Sequence, residues 1–390
     1  MDNDRVAVFH SAPPEPDNVE QAIAEALSSP IDFPALEQCV ISDDRVTIAV
    51  DPQTPHLAEI LEQVWSRLHP RGIDPASVTI LQPATKDDSL ALIDPGAKLP
   101  ENVRGQIKWE THDDSDEKAC AFLATATSGE RIYLSKHLVE ADVVFTIGIA
   151  GFDSLLGYRG TNSLLYPQFS NREAMLHARG LGHAELTPDD SRPLRQLVDE
   201  VGWLLGTQYS IQVVPATSRS AARFLTGAHE SVMREAIPLL KEYWWLELGQ
   251  RCDLVVLGVD AGLHCTSWPQ IAAALEVGKN LVEKNGSILL LTDQNRKPSE
   301  EFDLVKQVDE PLESLQLLLH TDSADIVSAS QLVSAVDWAD VYLVSNLDEN
   351  LVEDYFLKPL DSESMMSKLI SSAKSCAFIE SAQFAYGHVR

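Results

Sequence analysis

Chemistry in this chain has to come from scattered side chains. His112 stands in "THDDSD" beside Asp113 and Asp114, where a carboxylate can orient an imidazole for proton transfer or hydride chemistry. An isolated His-Asp pair on a surface has the same local sequence. His177 and His183 lie six apart in "REAMLHARGLGHAEL", too far for the i, i+4 pair that one helix face offers a metal; one can be a ligand, not both as a local motif. Asp51 in "AVDPQTPH" ends an apolar run, and Pro52 and Pro55 force a turn after it. Its carboxylate either faces a crevice at a strand end or caps the next helix. His264 and Cys265 are adjacent, so on a strand they point to opposite faces and chelate poorly unless the chain bends. The stretch "GFDSLLGYRGTNSLLYPQFSN" (151–171) offers Gly151, Gly157 and Gly160 for close approach to a ligand, yet Asp153 and Arg159 are its only charged groups. Neither the Rossmann glycine pattern nor the P-loop lysine is present, which leaves both a ligand loop and an ordinary strand-to-helix turn open.

The elements that must position these groups alternate in type. "VTIAVD" (46–51) precedes the amphipathic "HLAEILEQVWSRLH" (56–69), "SVTILQP" (77–83) follows, and "ADVVFTIGIA" (141–150) runs into the glycine stretch. After "YSIQVVPA" (209–216) comes the helix-like 227–248, and "CDLVVLGVDAG" (252–262) opens a second series. Residues 270–293 read as helix, Asn-Gly turn and strand, and "ADVYLVSNL" (339–347) and "CAFIES" (376–381) as further strands. Short β-branched runs followed by helix-period stretches predict an α/β protein with mainly parallel sheets flanked by helices. Two domains are expected, 1–228 and 229–390, with a cleft between them walled by the loops after Val50, Ile80 and Ile149.

Composition narrows the partners. The 390 residues carry 59 acidic against 30 basic side chains, a formal charge of −29, which argues against nucleic acid, polyphosphates and anionic membranes. Five cysteines without a CxxC pair suit free thiols in a reducing compartment. With no leader-like start and no apolar run approaching membrane length, a soluble cytoplasmic protein is expected.

In order and spacing, these pieces resemble the nickel-pincer lactate racemase family, the LarA-like proteins, over most of the chain. The best local match is "HLVEADVVFTIGIAGFDSLLGYRGTNSLLYP" (137–167). Family members have here an "EAD" strand, a Pro-His dipeptide, a Gly-Phe-Ser-Gly-Gly-Arg-Lys stretch and a Leu-Pro pair. This chain keeps Glu140-Ala141-Asp142, Gly148, Gly157, Tyr158, Gly160 and Pro167 without a gap. "THDDSD" is similar to the family's catalytic His-Asp segment and "REAMLHARG" to the segment with its nickel-ligating histidine. "VDAGLHCTSWPQIAAAL" (259–275) is similar to the segment that opens its second domain.

The resemblance implies an isomerase chemistry in which a pyridinium mononucleotide, tethered to a lysine as a thioamide, holds nickel in an S-C-S pincer with one protein imidazole. Two opposed histidines then serve as proton acceptors while hydride moves to and from the cofactor ring. By this resemblance His112 and Asp153 occupy the catalytic positions, and Asp51, Gly157, Gly160, Ser163 and His177 the cofactor positions, with His177 on the metal. Thr54 and Gln270 occupy the substrate positions. Asp153 stands where the family has its second catalytic histidine, Ser163 where it has the tethering lysine, Thr54 where it has an arginine and Ala273 where it has a lysine. A serine cannot form the thioamide, and a threonine cannot make a bidentate clamp on a carboxylate. The expectation is a LarA-like protein for a small 2-hydroxy acid or related carboxylate, with little or no lactate racemase activity and no covalently held cofactor. The alternatives are a divergent racemase or epimerase with a non-covalently held nickel-pincer nucleotide, and a different small-molecule enzyme on the same scaffold.

Overall fold

The computed structural model describes residues 6–83, 94–180, 186–207, 209–261, 266–318 and 326–390; His183, His264 and Cys265 lie outside them. Strand β1 (Val6–His10) is followed by β2 (Val46–Val50), β3 (Val78–Pro83), β4 (Lys108–His112) and the hairpin β5 (Cys120–Thr125)–β6 (Arg131–Ser135). Then come β7 (Val143–Ile149), the short hairpin β8 (Gly151–Asp153)–β9 (Gly157–Arg159), β10 (Tyr209–Pro215) and β11 (Ala221–Ala228). The second series is β12 (Trp245–Leu248), β13 (Cys252–Gly258), β14 (Val282–Leu291), β15 (Asp340–Val344), β16 (Lys358–Pro359), β17 (Ser375–Ile379) and β18 (Tyr386–Val389).

Two compact units result, one of residues 14–242 and one of residues 1–13 with 243–390. In the first, a six-stranded sheet has the order β11-β10-β7-β2-β3-β4. Every pairing in it is parallel except β10 with β11. Alternation along β2 separates two cores, as the period of two requires. Val46, Ile48 and Val50 face helices α1 (Val19–Ser28) and α2 (Leu57–Leu68) through Ile23, Leu27, Ile60 and Val64. Ala49 faces the opposite way, toward Leu164, Leu165 and helix α4 (Pro193–Leu205), with helix α3 (Arg172–Gly180) between them in sequence. In the other unit the all-parallel order is β1-β17-β13-β14-β15-β16. Its helices include α6 (Trp268–Leu281) and α7 (Ile326–Trp338). Among the described residues no helix is long and apolar enough to cross a membrane.

These compact units divide the chain differently from the expected 1–228 and 229–390. Helix α5 (His229–Trp244) goes with the preceding residues, because Ser231 Oγ and Arg234 Nη2 donate to Asp32 at 2.8 and 2.6 Å and Lys241 pairs with Asp189 at 2.6 Å. At the start of the chain, β1 goes with the second series because it pairs with β17, Val6 opposite Ser375 through His10 opposite Ile379. Two local expectations change as well. The helix-like 227–248 breaks into α5 and β12. Asn285-Gly286 does not separate helix from strand: β14 already begins at Val282 and runs through the pair as a bulge, with Asn285 at φ 63° and the register against β13 jumping from Val282 to Ser287, since the extra residues can be looped out of a parallel pair whose register then resumes.

Behind the glycine stretch a polar chain, buried at His229 and Asn162 and reaching the surface at Asp199, joins α5, the turn 161–164 and α4. His229 Nδ1 meets Asn162 Oδ1, Asn162 Nδ2 donates to Asp199 at 3.3 Å, and Arg195 holds Asp199 with two nitrogens at 2.9 and 2.7 Å. Burial pushes His229 down to about 4 from 6.5. The folded protein therefore keeps His229 neutral where the unfolded chain takes a proton. Its contribution to stability is complete above about pH 6.5, declines as pH falls, and levels off below about 4. Urea unfolding between pH 7 and 4 is expected to lose on the order of 3 kcal/mol through this residue, and His229→Gln is expected to flatten that slope. Identical slopes in the two proteins would show that another group is responsible.

Candidate functional site

Parallel strands bring their carboxyl ends to one edge of the first unit's sheet. The strand order reverses between β2 and β7, since the chain proceeds outward from β2 through β3 to β4 and then returns to β7 on the other side. In open α/β sheets ligands bind at such a reversal, beyond the carboxyl ends. Asp51 follows β2 there, the β8–β9 hairpin follows β7, and His112 ends β4.

At the reversal itself Asp51 N donates to Ile147 O at 2.9 Å, tying the turn to β7. Asp51 Oδ1 accepts Gln53 N at 2.9 Å, and its carbonyl accepts both Thr54 N at 3.0 Å and Thr54 Oγ1 at 2.7 Å. Thr54 is buried, and its hydroxyl is spent closing the turn. The next residue but one, His56, has a left-handed backbone, a buried Nε2 without a partner, and a pKa lowered first by burial.

The glycine stretch is closed by protein rather than open to a ligand at two of its glycines. Gly157 has φ 78°, and a Cβ there would collide with Pro188 O and stand 2.7 Å from Arg192 Nη1. At Gly160 a Cβ would stand 3.0 Å from Gln212 Oε1 and 3.1 Å from Met233 Sδ. Asp153 Oδ1 accepts Leu155 N and Leu156 N at 2.9 and 2.8 Å, an Asx turn that closes the hairpin. Ser163 Oγ accepts Gly160 N at 2.8 Å and donates to Gly160 O at 3.1 Å.

His112 is buried at the end of β4, and its Nε2 lies 2.8 Å from Ser170 O. A carbonyl only accepts, so Nε2 carries the proton and the neutral ring leaves a lone pair on Nδ1. That Nδ1 is buried without a hydrogen-bond partner. Neither neighbouring aspartate orients the ring by a hydrogen bond: Asp113 Oδ1 is taken by Ser115 N and Oγ, interactions that pull its carboxyl below the usual range. Instead the segment is anchored to the start of α3, through Ser170 O and through Arg172 N donating to Asp114 O at 3.1 Å.

Helix α3 carries His177, half exposed, with Nδ1 3.1 Å from Glu130 Oε1. Glu130 sits at the turn of the β5–β6 hairpin and also accepts the Tyr166 hydroxyl at 3.3 Å. Burial, then the charge of Glu130, pushes the Tyr166 phenol far above its ordinary value. A carboxylate on Nδ1 fixes the tautomer that presents Nε2, the usual support of a metal-binding imidazole. Nothing in the sequence marks Glu130, 47 residues away. Among the described residues no group of three or more His, Cys, Asp or Glu could hold a metal by itself.

Gln270 belongs to the other unit. It is the third residue of α6, where its Oε1 accepts Ser267 N at 2.9 Å and its own N donates to Ser267 Oγ at 3.4 Å, a capping box.

Residues 2–185 match the family model described as the lactate racemase N-terminal domain. No curated protein matches the chain in sequence. Among solved structures, that of the lactate racemase apoprotein from Thermoanaerobacterium thermosaccharolyticum superposes with a TM-score of 0.78 at 15% identity, covering 100% of this chain and 96% of that one. A protein from Thermotoga maritima superposes with a TM-score of 0.72 at 14% identity, covering 97% of this chain and 100% of that one.

If Gly157 serves packing, Gly157→Ala combines a left-handed backbone with a collision and should lower the unfolding free energy by about 2 kcal/mol or more. Urea denaturation measures it. An unchanged midpoint would mean that the stretch has room at this position.

Proposed function

We propose, for a chain that belongs to the LarA-like lactate racemase family, that it binds a small 2-hydroxy acid or related carboxylate while racemising lactate weakly or not at all. One observation carries this reading. Ser163, at the position of the tethering lysine, has its hydroxyl engaged in both directions with the main chain of Gly160. A hydroxyl is a weak nucleophile without a base to activate it, and this one serves as a local cap. Thr54 supports the reading too, its hydroxyl being held by Asp51 O where a cationic clamp on the substrate is needed.

The nickel-pincer nucleotide of the family therefore fits this chain at one point and not at another. His177, with Glu130 on its Nδ1, suits the single imidazole ligand. The tether does not fit, and no reaction step is assigned through the cofactor. A reducing cytoplasm is the proposed setting, supported by the free thiols of Cys39, Cys120, Cys252 and Cys376.

The His177–Glu130 pair favours a second reading, a divergent 2-hydroxyacid racemase or epimerase that holds the nucleotide without a covalent bond. In that case His112 supplies a proton acceptor at Nδ1, and Asp153 uses the oxygen that its turn leaves free.

Intact mass and metal analysis of protein made in cells that also make the cofactor separate these readings. The unmodified mass is expected, with any nucleotide lost on denaturation. Lactate racemisation is expected to fall on the order of 30- to 5,000-fold below a good racemase from the missing clamp alone, since such a group is worth about 2–5 kcal/mol. A covalent adduct, or efficient racemisation of either lactate enantiomer, would refute the proposal.

A further inference from the structure

Arg159 ends β9, opposite Gly151, the second residue beyond the carboxyl end of β7. The side chain lies along that glycine: a Cβ at Gly151 would stand 3.1 Å from Arg159 Nε, 3.7 Å from Cγ and 3.8 Å from Nη2. The guanidinium thus rests against the main chain at Gly151, two residues beyond the end of β7, the strand that pairs with β2. Its Nε is shut off from solvent and has no hydrogen-bond partner.

A guanidinium stays charged throughout the accessible pH range, and a partly buried charge without a counter-charge is costly. Other arginines of the chain meet acceptors. Arg45 holds Asp142, Arg195 holds Asp199, Arg234 holds Asp32, and the buried Arg192 donates to the carbonyls of Leu186, Thr187 and Asp190. The Arg159 side chain makes no hydrogen bond or ion pair with any described residue, in a chain with 59 acidic side chains. Asp153 of the same hairpin forms no ion pair with it, its Oδ1 instead accepting Leu155 N and Leu156 N. Retention of Gly151 beside it keeps the fork seated where any larger residue would press on it.

We propose that Arg159 is the anion anchor of this site and receives the carboxylate of a small monocarboxylic acid. This rests on the small-carboxylate reading above and adds the residue that holds the charged end. The planar fork matches the two oxygens of one carboxylate, a contact that Thr54 cannot make.

Calorimetric titration of the full chain in low-chloride buffer tests the assignment, with L-lactate, D-lactate and glycolate as monocarboxylates, lactamide as the uncharged analogue and inorganic phosphate as a competing anion. Binding of at least one monocarboxylate and not of lactamide is expected. Arg159→Gln should weaken it about 30-fold or more, Arg159→Lys should retain part of it, and Gly151→Ala should weaken it several-fold by displacing the fork without removing the charge. Should Arg159→Gln fail to fold, as judged by circular dichroism, the Lys and Gly151→Ala variants carry the test. Affinity unchanged in the variants overturns the assignment of Arg159 and leaves the carboxylate reading standing. No monocarboxylate bound by the unaltered protein overturns both, and phosphate bound in preference, in an Arg159-dependent manner, overturns the carboxylate class.

Discussion

Everything at the candidate site depends on the pairing of β2 with β7. Five residues stand in parallel register, Val46 opposite Val143 through Val50 opposite Ile147. At the foot, Arg45 and Asp142 exchange main-chain and side-chain bonds: Arg45 N and Nε reach Asp142 Oδ2 at 2.9 Å, and Asp142 N reaches Arg45 O at 2.9 Å. These bonds draw the Asp142 carboxyl down to about 2. Both side chains are well exposed, so the ion pair adds little stability; its geometry fixes where the two strands begin. A slip of one residue would send Val46, Ile48 and Val50 to the wrong face. With the foot fixed, the Asp51 turn and the Gly151 hairpin must emerge side by side at the other end.

Much of this sheet was legible because its strands are continuous β-branched runs. Residues 46–50, 78–83, 143–149 and 209–215 are strands within segments so read, as are 252–258 in the other sheet. β4 was not, since "KWETH" is largely exposed and ends in the buried His112, leaving no apolar run to see. Long-range partners were invisible too. The glycines of 151–171 advertised open space, yet Pro188, Arg192, Gln212 and Met233 fill it, residues 31 to 73 positions further on. His112 was legible as a candidate, but its orienting acceptor is a main-chain oxygen 58 residues away, which no side-chain motif can encode. The His-Asp adjacency that drew attention to it is a local turn involving Asp113 and Ser115.

A common pattern runs through three of the residues singled out in the sequence. Thr54, Asp153 and Ser163 are short polar residues that hydrogen-bond to nearby backbone, the habit that favours them in turns and caps. Each finishes a local structure with its own side chain. In a physical sense these turns are satisfied by the chain itself and need no ligand for it. Among the buried polar atoms of the described residues that keep bonding capacity are His112 Nδ1, His56 Nε2 and Arg159 Nε.

The pairing of β1 with β17 has a consequence for how the chain is made. Residues 6–10 are synthesised early, but their partner strand, 375–379, emerges more than 360 residues later. The sheet they share cannot close until residues 375–379 have been synthesised, while residues 14–242 hold all the strands of their own six-stranded sheet. For that interval β1 is a solitary strand bearing Val6 and Phe9, which stay largely exposed even when paired. Such a strand invites pairing with another nascent chain. A bulky group placed just ahead of β1 therefore touches the closing of the sheet of residues 243–390, although the two strands that meet there are more than 360 residues apart in the chain.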